Sequence, residues 1–101
     1  MSNAIGSAIT VEALARVLGD PGRWAILREL AKGEALPVQE LASRVGRSAG
    51  MVSKHMAMMR EAGLVVAGYG RLYQLAPAMR PAPGATMVDL GQCLLKINAP
   101  E

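Results

Sequence analysis

A mainly α-helical domain carrying a small β-wing, the winged helix-turn-helix, is the fold class this sequence predicts, and three observations predict it. Two short apolar-periodic segments flank a single turn residue, Gly46, in the run Val38-Gln39-Glu40-Leu41-Ala42-Ser43-Arg44-Val45-Gly46-Arg47-Ser48-Ala49-Gly50-Met51-Val52-Ser53-Lys54-His55-Met56. Two strand-like quartets follow, Leu64-Val65-Val66-Ala67 and Leu72-Tyr73-Gln74-Leu75, with turn chemistry in Gly68-Tyr69-Gly70-Arg71 between them. The surplus positive charge lies in the same stretch. Between residues 44 and 71, Arg44, Arg47, Lys54, Arg60 and Arg71 stand against Glu61 alone, whereas residues 1–43 are slightly acidic and the remainder balances.

The first helix is expected from about Ser7 or Thr10 to Leu18, with Ile9, Ala13, Leu14, Val17 and Leu18 forming a broad apolar face. Gly19-Asp20-Pro21 stops it and starts another. Asp20 can cap the exposed N–H groups, and Pro21 fits a first turn where no donor is missed. That second helix carries Trp24, Ile26, Leu27 and Leu30 and ends before Gly33. Pro37 opens the third, with Val38, Leu41, Ala42 and Val45 on one stripe and Gly46 closing it. Ser48 is the expected N-cap of the fourth, which closes at Gly63 as a left-handed cap residue.

On the fourth helix Val52, Met56 and Met59 recur at i, i+4 and i+7 and must point inward. Gly50, Lys54, Ala57 and Glu61 take the opposite face, flanked by Met51, Ser53 and Met58. After the wing, Pro77, Pro81 and Pro83 make residues 76–85 a linker or extended arm. Residues 86–97 allow two readings. Thr86-x-x-Asp89 could cap a helix with Leu90, Leu94 and Ile97 on one side. Gly91 and the alternation through Cys93, Leu95 and Ile97 favour strands, the reading preferred here. Residues 1–6 read as a flexible start or a cloning scar (Ser2-Asn3-Ala4), residues 7–75 as the winged domain, and residues 76–101 as linker plus C-terminal segment.

Composition narrows the function. At 101 residues the chain holds one core, built without Phe from aliphatic residues and seven Met. The longest run free of charge, Met1 to Val11, is 11 residues, whereas a membrane span needs about 20, so a protein without a membrane partner is expected. One cysteine, Cys93, excludes an internal disulfide and suits a reducing cytoplasm. With one His and one Cys, no nucleophile–base pair or metal cluster is visible, so neither an enzyme, a metal site nor a cofactor is expected. Cys93 is read as a small apolar residue of the core or an interface, with a redox role as the alternative.

The chemistry that remains is nucleic-acid binding. The second helix of a helix-turn-helix can lie in the major groove of double-stranded DNA, and basic residues around it meet phosphates. Arg44, Arg47, Arg60 and the cap donors near Ser48 are the candidate phosphate contacts. Gly50, Met51, Ser53 and Lys54 lie where side chains reach base edges, Lys54 toward guanine acceptors and Met51 toward a thymine methyl. Gly50 either admits close backbone approach or is tolerated near a helix end. His55 either touches a phosphate or is hydrogen-bonded and half-buried. Arg71, at the tip of a short wing, makes a glancing phosphate contact.

From Leu18 to Pro77 the chain resembles the arsenic-repressor (ArsR) family of winged-helix transcription regulators. The residues that carry this are Leu18-Gly19-Asp20-Pro21-Gly22-Arg23-Trp24-Ala25-Ile26-Leu27-Arg28-Glu29-Leu30, Glu40-Leu41-Ala42, Ser53-Lys54-His55-Met56 and Arg60-Glu61-Ala62-Gly63-Leu64-Val65. The resemblance implies a cytoplasmic homodimer that binds operator DNA and represses transcription, its dimer contact made by the first helix and the segment after the wing. The metal-sensing members' Cys-x-Cys pair has no counterpart: the matching stretch is Ala35-Leu36-Pro37-Val38-Gln39-Glu40-Leu41. The family's other site uses Asp, His and Glu on a C-terminal helix, and only Asp89 stands there. The expected function is therefore a repressor without the thiolate sensor, its effector unknown. The rival reading is a winged helix that binds only proteins.

Overall fold

The computed structural model describes residues 9–91 and 93–96. The expected N-terminal start and Ile97 lie outside the described residues. Four helices come first: α1 (Val11–Leu18), α2 (Pro21–Leu30), α3 (Val38–Val45) and α4 (Ala49–Glu61). Two hairpins follow, β1 (Val65–Ala67) with β2 (Tyr73–Leu75) and β3 (Met87–Asp89) with β4 (Leu94–Lys96), both antiparallel. The winged helix-turn-helix is the architecture of the chain.

Each helix begins where the local chemistry sets it. The Thr10 hydroxyl accepts from the Ala13 N–H, and the Asp20 carboxylate from the N–H groups of Gly22 and Arg23. The Ser48 hydroxyl accepts from the Met51 N–H. Pro37 occupies the N-cap position of α3 with no capping side chain, so this helix starts on backbone geometry alone. Ile9, expected on the face of α1, instead precedes the cap, yet it is buried, and its Cδ1 lies against Gly63.

The core is the meeting of α2, α3 and α4 under the first sheet. Ile26, Leu27, Leu41, Val52, Met56, Met59 and Leu64 are all fully buried there. Burial of each such side chain contributes about 1.5–3 kcal/mol. Between α3 and α4, Gly46 takes φ 71°, ψ 34°, a left-handed conformation that a side chain disfavours. Its N–H and that of Arg47 both return to the carbonyl of Ala42. This turn sets the angle between the two helices.

The wing pairs Val65 with Leu75 and Ala67 with Tyr73, and its loop closes through Gly68 N–H to the Leu72 carbonyl at 2.8 Å. Leu36 adds a third, single-residue strand by exchanging two hydrogen bonds with Tyr73, at 2.9 and 2.8 Å. The segment after the wing is not a free linker. Pro77–Met79 forms one 3₁₀ turn, Met79 is buried, and Arg80 Nε donates to the Leu75 carbonyl at 2.7 Å.

Residues 86–96 are strands rather than a helix. Asp89, the residue a helical reading would spend on capping, accepts the Gly91 N–H at 2.9 Å inside a tight turn where Gly91 has φ 89°. Val88 and Leu90 are buried against the helical core. Cys93 is exposed, contrary to its placement in the core; its carbonyl closes the turn by accepting the Leu90 N–H. The alternation predicted through this segment puts Leu95, not Cys93, against the core.

Candidate nucleic-acid interface

The two faces of α4 differ completely. Val52, Met56 and Met59 are 0% exposed, and His55 is 8% exposed. The other side presents Gly50, Met51, Ser53, Lys54, Ala57, Met58, Arg60 and Glu61, all exposed. Among the described residues, no other part of the chain covers this face. A Cβ built at Gly50 would meet nothing within 4 Å. The side chains of Lys54 and Arg60 make no hydrogen bond or ion pair among the described residues. Ser53, Lys54 and Gly50 therefore share one open surface, with Met51 on its border and Ser48 at its N-terminal end.

Arg47 stands at the entrance to that surface, exposed, with Nη1 3.4 Å from the Val45 carbonyl. Arg71 lies in the wing loop with φ 62°, a positive value in a residue that has a side chain. Such backbone strain is sparsely populated and clusters at functional positions. Beside it Tyr69 is 100% exposed, a wing-tip aromatic that the sequence reading did not select.

Two of the expected contacts stand elsewhere. Arg44 is spent on neighbours: Nη1 meets Glu34 at 2.6 Å and Glu29 at 3.4 Å, and Nε meets Glu40 at 3.0 Å. These partners raise the Arg44 pKa, and Arg44 in turn lowers that of Glu34. A guanidinium already surrounded by three carboxylates is not a free cation for a phosphate.

His55 points inward, into a polar junction under the N-terminus of α2. Arg23 Nη1 lies 3.3 Å from its Nδ1. Guanidinium has no acceptor, so Nδ1 must accept and the ring proton sits on Nε2. Nε2 faces Asp20 Oδ1 at 3.8 Å, close for electrostatics but too long for a hydrogen bond. Burial lowers the His55 pKa most; Asp20 opposes this, and the charges of Arg23 and Arg47 add to it. Arg23 is held by further bonds to the carbonyls of Val17 and Arg16.

Gly22 makes this junction possible. A Cβ there would stand 2.9 Å from His55 Nε2 and 3.0 Å from Arg47 Nε and from Asp20 Oδ1. The junction thus fixes the rotation of α4 about its own axis and so aims the open face. The signal was present in the sequence. At 100° per residue, His55 falls on the same stripe as Val52, Met56 and Met59.

Among the described residues no group of three or more His, Cys, Asp or Glu could hold a metal ion. No helix among them is long and apolar enough to cross a membrane. No curated protein and no solved structure matches the chain. Residues 18–66, from the end of α1 through α4 into β1, match a family model described as a helix-turn-helix domain.

Proposed function

We propose that the protein is a sequence-specific, DNA-binding transcription regulator, a repressor of the ArsR type without the thiolate metal-sensing site. The observation that carries this is the open face of α4, where an uncovered Lys54 and Ser53 stand between Arg47 and Arg60. The helix enters a major groove of operator DNA. Arg47, Arg60, Arg71 and the amides near Ser48 meet phosphates, and Lys54 donates to guanine acceptors. Arg44 and His55 leave the contact set and act within the fold.

The protein works as a homodimer, with half-sites about 34 Å apart or a multiple of it. Val11 on α1 and Met87 and Leu94 on the second hairpin support this. They are 56%, 45% and 60% exposed apolar side chains outside the reading face. The measurements are anisotropy of a labelled random duplex at rising salt, and of the preferred site selected from a random pool, with and without Lys54→Ala. Binding that falls steeply with salt, and a loss of about 5- to 150-fold for Lys54→Ala on its preferred site, are expected. Flat salt dependence counts against the whole electrostatic reading.

The exposed Met51 and Met58 also suit a second reading, a winged helix that binds only another protein. Failure to compete with any duplex at low salt decides for it.

A further inference from the structure

The open face of α4 is poor in the groups that usually read bases. Its outward side chains include no Asn, Gln or Arg before Arg60, so no amide offers the two-bond contact to adenine. Lys54 is the one strong donor at its centre. What the face does carry is apolar: Met51 is 49% exposed and Met58 41%, with Ala57 and Gly50 exposed beside them. Both methionines lie on the same side of Lys54, seven residues apart, which is about 10 Å along the helix. That length matches about three base-pair steps.

A major groove offers one apolar group on its floor, the C5-methyl of a pyrimidine. Thioether side chains are unbranched and polarizable, and they adapt to such a small target. The flanking Arg47 and Arg60 supply the charge complementarity that commits this face to a duplex rather than to an apolar protein groove. Resting on the regulator reading above, we infer that the protein selects its site by pyrimidine methyl groups. Met51 and Met58 contact thymines about three steps apart, and Lys54 takes a guanine between them. The small residues Gly50 and Ala57 let the helix sit deep enough for the contact.

The test begins with duplexes selected from a random pool by the whole protein. In the selected half-site each thymine is then replaced by deoxyuridine, which keeps the base pair and removes only the methyl. A loss of about three- to fourfold per contacted methyl is expected, the effect of one buried methyl group. In the Met51→Ala, Met58→Ala double variant, thymine and uridine duplexes should bind within about twofold of each other, with the circular-dichroism spectrum of the protein unchanged. Both side chains are exposed, so the variant keeps its fold.

Selected duplexes that bind equally with uridine overturn the inference and leave the regulator reading standing. Absence of binding to any duplex at low salt overturns both. A self-association of the chain that the double variant abolishes assigns the methionines to a second copy and also overturns the inference.

Discussion

Two pairs of methionines on one helix teach how the fold and the site divide α4. Met56 and Met59 are 0% exposed, while Met51 and Met58 are 49% and 41% exposed. The residue type is the same, and the backbone is the same. The angular position around the helix decides whether a thioether holds the domain together or faces outward with little to touch. The inner pair carries stability, and the outer pair is free to carry recognition.

The largest expected effect comes from the inner pair. Met56→Ala leaves a cavity in the centre of the core and should cost about 2–5 kcal/mol, measured by urea unfolding. An effect below 1 kcal/mol would break the distinction between the two faces. Gly22→Ala comes next. Its added methyl must displace the buried His55 ring, since the Arg47 side chain can swing away but the ring cannot. A loss of about 1–3 kcal/mol is expected by the same measurement, and His55→Ala in the same chain should relieve part of it.

The junction also gives stability a pH dependence with a definite sign. The folded protein binds the His55 proton more weakly than the unfolded chain does. The contribution is therefore complete above the ordinary histidine value near 6.5 and is lost as pH falls toward the depressed folded value. The melting temperature should be lower at pH 5.5 than at pH 7.5, and His55→Gln should remove most of that difference. The carboxylates of Asp20 and Glu34, whose pKa values are lowered, act in a separate window. Their contribution is present above about pH 4 and is lost below it.

Smaller effects sharpen the outer face. Gly50→Ala should stabilise α4 by about 0.5–1 kcal/mol, since the new methyl meets nothing in the free protein. If the helix sits deep in a groove, the same change weakens duplex binding, so thermal stability and affinity move in opposite directions. Met51→Ala should change stability by no more than about 0.5 kcal/mol.

The helices, the turn at Gly46 and the wing were legible because their signals are local: caps at Asp20 and Ser48, left-handed glycines at 46 and 63, and apolar spacing between them. The open position of Lys54 followed from the same angular arithmetic. What sequence could not show was partnership between distant residues. Arg44 reads as a free cation in a basic block until Glu29 and Glu34, 15 and 10 positions back, close on it. His55 depends on Arg23, 32 positions away. The second hairpin stayed ambiguous because Thr86 and Asp89 suit a helix start as well as a turn, and burial of Val88 and Leu90 decides between them.

The two hydrogen bonds between Leu36 and Tyr73 act as a clasp around everything from α3 to the wing. They fasten the chain on both sides of the reading helix, so the recognition element is a cassette shut at its ends rather than an arm hung from one. A chain shut this way tolerates lengthening at the wing tip, where the loop projects beyond the paired residues of β1 and β2. Opening the clasp would loosen the hairpin and the root of α3 in a single event.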